Sequence, residues 1–452
     1  MPCPTPILRF LREYQDGSPV RLHMPGHKGR PRLGVEPYDI TEIRDADSLY
    51  CPVPDGIIAQ SEAVATELFG SKRTVYSAGG SSLCIFTAAW LLRRYAADTG
   101  VAPLVLAVRN VHQSFVSALA QTGLSVEWFR SPEATALACP VDAVALETHL
   151  RGMPIRPIAV YLTSPDYLGN VQPVAAIAEV CHRLGVLLLV DNAHGAYLHF
   201  LPSPAHPLDQ GADIVCDSAH KTLPALTGAA YLHFGATCPD YFPDNAKEAM
   251  LSVASTSPSY LVLASLDRTN ACLTAPGYIG CIAEMAEMIA DAKKRLTEKG
   301  WQCVGDEPLK LTLYCPSMGT SGVATARLLN EEKVVEEYAD RDYLILMASA
   351  DTPPEHLERA VQTLLHMQTG DLHPPMLTLP SLPPRAMSVR EAYFAPREVL
   401  PIDRCEGRVL AYLPVKCPPA VPSVIAGEEL TASVLRYLAA QGYAQLAVVK
   451  PE

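Results

Sequence analysis

Val186-Leu187-Leu188-Leu189-Val190-Asp191-Asn192-Ala193-His194-Gly195 carries the clearest structural signal in the chain. Five apolar residues in a row, Val186 to Val190, predict a strand buried on both faces, as in a parallel sheet. An acid, Asp191, follows at once, at the strand's carboxyl end. In open α/β sheets ligands sit at that end. Asp191 and His194 are therefore candidate site residues.

A matching signal lies downstream. Ile214-Val215-Cys216 is a short apolar run, and Asp217-Ser218-Ala219-His220-Lys221-Thr222 leaves it. Lys221 stands 30 residues beyond Asp191, room for one connection and one more strand. Burying a lysine's charge is expensive, so a lysine here either escapes to solvent or is used. An amine held in an apolar pocket is a candidate Schiff-base former. Ser218 and His220 beside it can each donate a hydrogen bond to a phosphate. A lone His-Lys pair reads as a surface feature, but an acid, a histidine and a lysine above adjacent strands do not. An aldehyde-trapping lysine with an acid opposite a pyridinium nitrogen is the set that pyridoxal phosphate needs.

The upstream chain supplies the rest of a sheet. Pro157 to Leu162 predicts a strand, and Thr163-Ser164-Pro165-Asp166-Tyr167-Leu168-Gly169 its terminal loop. Val174, Ile177, Cys181 and Leu184 have helical spacing, and Gly185 suits the helix stop. Strand, helix, strand implies a parallel sheet. Leu104 to Val108 predicts a further strand, with His112 just past it; such a histidine is more often structural than catalytic. Tyr76-Ser77-Ala78-Gly79-Gly80-Ser81-Ser82 leads into the apolar run Leu83 to Leu92. A small-residue loop opening a helix suits a phosphate; the alternative is an ordinary helix capped by Ser82. Ser255-Thr256-Ser257-Pro258-Ser259-Tyr260 reads as a loop and a helix start.

The 452 residues exceed one typical core, so two or three domains are expected. A hydrophobic fraction of 49% with 19% charged residues excludes a disordered chain. The net charge of −12 argues against nucleic acid or an anionic membrane as partner and is compatible with a cationic substrate. The 13 cysteines are scattered, odd in number and form no C-x-x-C pair, so neither a metal site nor a disulfide framework is expected. No stretch reads as a signal peptide or a membrane span, and a cytoplasmic location is expected.

Asp191-Asn192-Ala193-His194-Gly195-Ala196 and Ser218-Ala219-His220-Lys221-Thr222 resemble the cofactor motifs of the Orn/Lys/Arg decarboxylases. These are pyridoxal-phosphate enzymes with the aspartate-aminotransferase fold, fold type I. The similarity runs from about His23 to Glu429. It takes in Pro25-Gly26-His27-Lys28, Asp47-Ser48-Leu49, the loop Ser164 to Gly169, Ser255 to Tyr260, and a tail with Cys417 to Pro422 and Ala426-Gly427-Glu428-Glu429. The resemblance implies that Lys221 holds the cofactor, with Asp191 at the ring nitrogen, His112 stacked on the ring and His194 in the same site. It implies a phosphate site from Gly80, Ser81, Ser82, Ser218 and His220. Ser255 and Thr256 would reach the cofactor of a neighbouring subunit, which implies a homodimer with shared active sites. The chain departs from the family at Asn192 (usually an acid), Tyr197 (a second histidine), Gly80 (a hydroxyl residue), Ala420 and Ala426. An acid often found near Ala411-Tyr412 is missing.

The implied fold is α/β: a mostly parallel sheet with helices on both faces, plus a smaller C-terminal α/β domain. The expected divisions are an arm at 1–50, a cofactor-binding major domain at 51–300, a small α/β domain at 301–372, a linker from Pro374 to Pro384, and a C-terminal domain at 385–452. The implied reaction is decarboxylation of an amino acid of the lysine, ornithine or arginine type. The alternatives are another reaction of the same cofactor, aminotransfer or aldolase-like cleavage, and a non-catalytic regulatory homologue.

Overall fold

The apolar run around Leu188 becomes the central strand of a seven-stranded sheet. The strands are β1 (Arg73–Ser77), β2 (Leu104–Val108), β3 (Ser125–Phe129), β4 (Ala159–Thr163), β5 (Leu187–Asp191), β6 (Ile214–Asp217) and β7 (Ala230–Phe234). Their order is β1-β7-β6-β5-β4-β2-β3. Only β7 reverses, antiparallel to β1 and β6; the other pairings are parallel. The expected mostly parallel sheet is therefore present. The computed structural model describes residues 5–41, 43, 46–51, 53–372, 378–414 and 421–451. Residues 374–377 of the expected linker and Cys417 to Ala420 of the tail motif lie outside the described residues.

Successive side chains of a strand point to opposite faces, and each face has its own core. Val160, Leu162, Leu188, Val190 and Val215 pack with Leu146, Val174, Ile177 and Cys181 of helices Ala143–Gly152 and Val174–Arg183. Tyr161, Leu189, Ile214 and Cys216 pack with Cys84, Ala88, Phe115 and Leu119 of helices Gly80–Thr99 and Gln113–Thr122. Helix Val174–Arg183 stops where expected, with Gly185 at φ +66.

The alternative reading of the loop before the helix after β1 needs correction. Ser82 does not cap the helix after β1: the helix begins at Gly80, Gly79 holds the cap position, and no side chain caps it. The turn closes earlier because Ser77 Oγ takes the Gly79 N–H and donates to Gly80 O, while Gly80 N–H reaches Gly228 O. The segment Ser255 to Tyr260 is a loop and a helix start, as expected: the next long helix is Tyr260–Leu273, with Ser259 at its cap position.

A second sheet contains β8 (Gln302–Val304), β9 (Lys310–Tyr314), β10 (Tyr338–Ala339) and β11 (Tyr343–Met347), in the order β10-β11-β9-β8 and fully antiparallel. Helix Gly322–Glu331 packs on it, and helix Pro354–His366 packs against helices Gly322–Glu331 and Pro276–Lys299. A third, three-stranded sheet of β12 (Arg397–Pro401), β13 (Leu410–Tyr412) and β14 (Gln445–Val449) joins helix Ala432–Ala440 around its own core of Leu410, Leu430, Val434, Leu438 and Val448. Among the described residues no helix is long and apolar enough to cross a membrane.

Candidate active site

Lys221 lies on the one-turn helix Ala219–Thr222 directly after β6. Its Nζ is 3.0 Å from Nε2 of His194, which follows β5. His194 is 3% exposed. Burial, then the charges of Lys221 and Lys310, hold its pKa well below the usual histidine range. The ring is therefore neutral. The lysine donates to Nε2, so the imidazole proton sits on Nδ1, which is buried and has no hydrogen-bond partner among the described residues.

Asp191 ends β5 beside this pair and is 2% exposed. Tyr161 on β4 donates its hydroxyl proton to Asp191 Oδ2 at 2.9 Å, and the Ala193 N–H approaches Oδ1 at 3.3 Å. Burial and the Asp191 charge push the Tyr161 pKa up, so the phenol stays a donor. Phe115 stacks on the Tyr161 ring at 3.7 Å and fixes it from the other side.

His112 occupies the cap position of helix Gln113–Thr122. Its Nδ1 accepts the Ser114 N–H at 3.1 Å, which leaves Nε2 as the protonated nitrogen. Burial pushes its pKa down; Asp191 opposes this and Lys221 adds to it.

The first turn of helix Gly80–Thr99 faces the same end of the sheet. Ser218 Oγ donates to Ser81 Oγ at 2.7 Å, joining that turn to the lysine segment. Gly80 lies at φ +70, where a β-carbon is disfavoured. No heavy atom stands within 4 Å of where one would be. The departure at Gly80 thus follows from the backbone. His220 Nδ1 donates to Ala229 O at 2.9 Å, leaving Nε2 for another partner. Ser255 and Thr256 are exposed and do not join this group within one chain.

Other departures from the family also have physical causes. Asn192 Nδ2 donates to Asp217 Oδ1 at 2.7 Å; an acid at 192 would set two buried carboxylates together. Asp217 also accepts from Nε2 of His206 at 2.9 Å and of His233 at 3.2 Å. Burial alone would raise its pKa, but the two histidines hold it well below the usual carboxylate range. His206 Nδ1 accepts the Leu208 N–H, so its Nε2 carries a proton and the trio is a hydrogen-bond hub. Tyr197 Oη accepts the Leu309 N–H at 3.1 Å. Sequence reading missed Tyr161, Tyr167, Glu307 and Lys310. Tyr161 left one clue: a tyrosine inside a buried apolar strand needs a partner for its hydroxyl.

These residues fit pyridoxal phosphate. The set holds an amine, an acid pinned by a phenol, an orphaned imidazole N–H, and a helix N-terminus with two serine hydroxyls beside Gly80's open side.

The comparisons with known proteins agree. The Orn/Lys/Arg decarboxylase major domain matches residues 5–313, and the C-terminal domain of that family matches 378–446. The chain is 29% identical to an arginine decarboxylase of Bacillus subtilis, over 99% of this chain and 96% of that one. It is 28% identical to an arginine decarboxylase of Halalkalibacterium halodurans, over 99% and 95%. In fold it is similar to the lysine decarboxylase of Francisella novicida, with a TM-score of 0.80 at 17% identity, covering 99% of this chain and 81% of that one. A serine palmitoyltransferase of Sphingomonas wittichii is similar over 67% of the chain, with a TM-score of 0.54. With the major-domain match spanning more than half of its length, the chain belongs to the Orn/Lys/Arg decarboxylase family, pyridoxal-phosphate-dependent carboxy-lyases of amino acids.

Proposed function

We propose that the protein releases the carboxylate of a basic amino acid as carbon dioxide and leaves the amine. The observation that carries this is the contact of Lys221 with His194 beside Asp191, at the carboxyl ends of β5 and β6. Bound there, pyridoxal phosphate supplies an aldehyde that takes up an amine and a ring that draws electrons from the bond being broken. Lys221 is the amine that holds it. The neutral Nε2 of His194 takes a proton from Lys221 Nζ and frees the amine. Asp191, pinned by Tyr161, would keep a proton on the ring nitrogen. His112 would help to hold the ring. Gly80, Ser81, Ser82, Ser218 and His220 would hold the phosphate, aided by the positive end of helix Gly80–Thr99. The net charge of −12 is compatible with a cationic substrate.

Purified protein offered arginine, lysine and ornithine should release carbon dioxide and the matching amine from at least one. A borohydride-reduced sample should carry the cofactor on Lys221 in a peptide map. A keto acid or aldehyde as product, or label on another lysine, would refute the assignment.

We also propose that the working unit is a dimer with shared sites. Ser255 and Thr256 are exposed in one chain, and a phosphate dianion is better held by several donors than by one loop. Val20, Leu22, Met24 and Leu33 of the N-terminal arm are 65–91% exposed, apolar surface that a second copy would cover. Inactive Lys221→Ala subunits mixed with inactive subunits altered at Ser255 and Thr256 should regain part of the activity. Verified exchange without activity would sink the shared site.

A further inference from the structure

Residues 305–310 lead into β9 and lie between two segments that flank His194. On one side is the loop after β4. A β-carbon at Gly305 would stand 2.4 Å from Leu168 O, so only glycine lets the segment lie this close. Gly169 O accepts the N–H groups of Asp306 at 2.9 Å and Glu307 at 2.8 Å, and Asp306 Oδ1 accepts the Val171 N–H at 2.9 Å. On the other side is the turn Ala196–Phe200, where Tyr197 Oη accepts the Leu309 N–H and lies 3.5 Å from Glu307 Oε1. Tyr167, in the loop after β4, meets the His194 ring edge-on at 5.3 Å.

Inside this bracket sits a buried ion pair. Glu307 Oε2 and Lys310 Nζ are 2.7 Å apart, and both side chains are 1% exposed. Lys310 Nζ stands 5.6 Å from the Tyr167 ring centre. A buried ion pair costs much in desolvation and adds little or nothing to stability over an apolar pair of like volume. Its place here calls for another reason, and the neighbouring chemistry supplies one. The cation stands over the Tyr167 ring, and the same ring meets the imidazole that touches Lys221.

We propose that Glu307 and Lys310 are positioning residues for the reaction: acting through Tyr167, their ion pair holds His194 in register with Lys221. This deepens the proposed function and rests on Lys221 and His194 working at the reacting centre. The titratable groups that act on His194 are Lys221, Lys310, His112 and His220. Lys310 is the one contributed from outside the strand-end set.

The test uses the double variant Glu307→Met/Lys310→Met, which removes both charges at nearly constant volume, with Lys310→Arg as the conservative control. The double variant should fold, because neither charge is left alone. His194 is followed by NMR in full-length protein carrying labelled histidine, its signal assigned by loss in His194→Gln. In the wild type it should stay neutral well below the usual range. In the double variant its titration should rise by about one pH unit or more, and Lys310→Arg should restore the wild-type behaviour. In turnover, kcat should fall by about tenfold to a hundredfold with a smaller change in KM, as for a displaced reacting group. An unmoved His194 titration in a folded double variant would overturn the proposal, whatever the substrate proves to be. So would wild-type kcat in that variant. Failure of the wild type to decarboxylate any basic amino acid, with the His194 titration moved as expected, would overturn the substrate reading and leave this one standing.

Discussion

His194 and His233 are buried histidines that stability measurements can detect. Burial holds the pKa of each below the usual value, aided at His194 by Lys221 and Lys310 and opposed at His233 by Asp217. A histidine whose folded pKa is depressed takes its proton more readily when unfolded. Its contribution is therefore kept above the unfolded value, about 6.5, and lost as pH falls below it, by about 1.4 kcal/mol per pH unit for each group. Asp166 and Asp267, pushed up to about 6 by burial, act in the opposite sense but only below that pH. Urea-unfolding stability should thus begin to fall between pH 6.5 and 6, and His233→Gln should flatten the decline. A flat profile for the wild type there would refute the assignment. Lys221, Asp191, His112 and His194 were legible in sequence because each ends or closely follows an apolar run. Tyr161 and Lys310 were not, because each meets the site from another strand: Tyr161 through its hydroxyl, Lys310 through the ring of Tyr167.

Helix Ile57–Leu68 shows how an element depends on residues outside it. Its cap position is Gly56, and no side chain there can take the free N–H groups. Asp47 does so from a distance: its carboxylate accepts the N–H groups of Ile58 at 3.0 Å, Ala59 at 3.2 Å and Val53 at 2.9 Å. A β-carbon at Gly56 would stand 2.2 Å from Asp47 Oδ2, so the glycine makes room for the acid. Asp47→Ala should cost about 2 kcal/mol, the upper range for a lost cap, and lower the melting temperature with helix content little changed. An unchanged melting temperature would show that water replaces the carboxylate. The Asp47 motif was visible as a family feature, but its role was not, since the acid and the helix it caps are joined by an irregular loop. Strands β2, β4, β5 and β6 were legible because they are apolar runs. Strands β1 and β3 escaped notice because Arg73-Thr74-Val75-Tyr76-Ser77 and Ser125-Val126-Glu127-Trp128-Phe129 mix polar and apolar residues.

A buried ion pair helps to tie the C-terminal layer to the major sheet, beside the hydrogen bonds of Arg385 to Val126 O and of Arg390 to Ala120 O and Gln121 O. Arg109, directly after β2, forms a two-pronged contact with Glu428, at 2.6 Å and 2.7 Å, with side-chain exposures of 0% and 5%. Arg109 Nε donates to Pro422 O, Ile425 N–H donates to Glu428 Oε2, and the guanidinium lies 5.0 Å from the Trp128 ring centre. In sequence Arg109 stood only as a neighbour of His112 and Glu428 only as part of a tail motif. A pairing across 319 positions leaves no local trace. Removing one member of a buried pair strands the other charge at a cost of about 3–5 kcal/mol, whereas replacing both with apolar residues is often neutral. Glu428→Gln should therefore lower stability by that amount and split urea unfolding into two steps, as the C-terminal layer loosens before the sheet. Arg109→Met/Glu428→Met should recover most of the loss. If single and double variants are equally damaged, the hydrogen-bond geometry rather than the stranded charge holds the layer. If neither is damaged, the layer is held by its apolar contacts, and Arg109 serves only to shape the turn that carries His112.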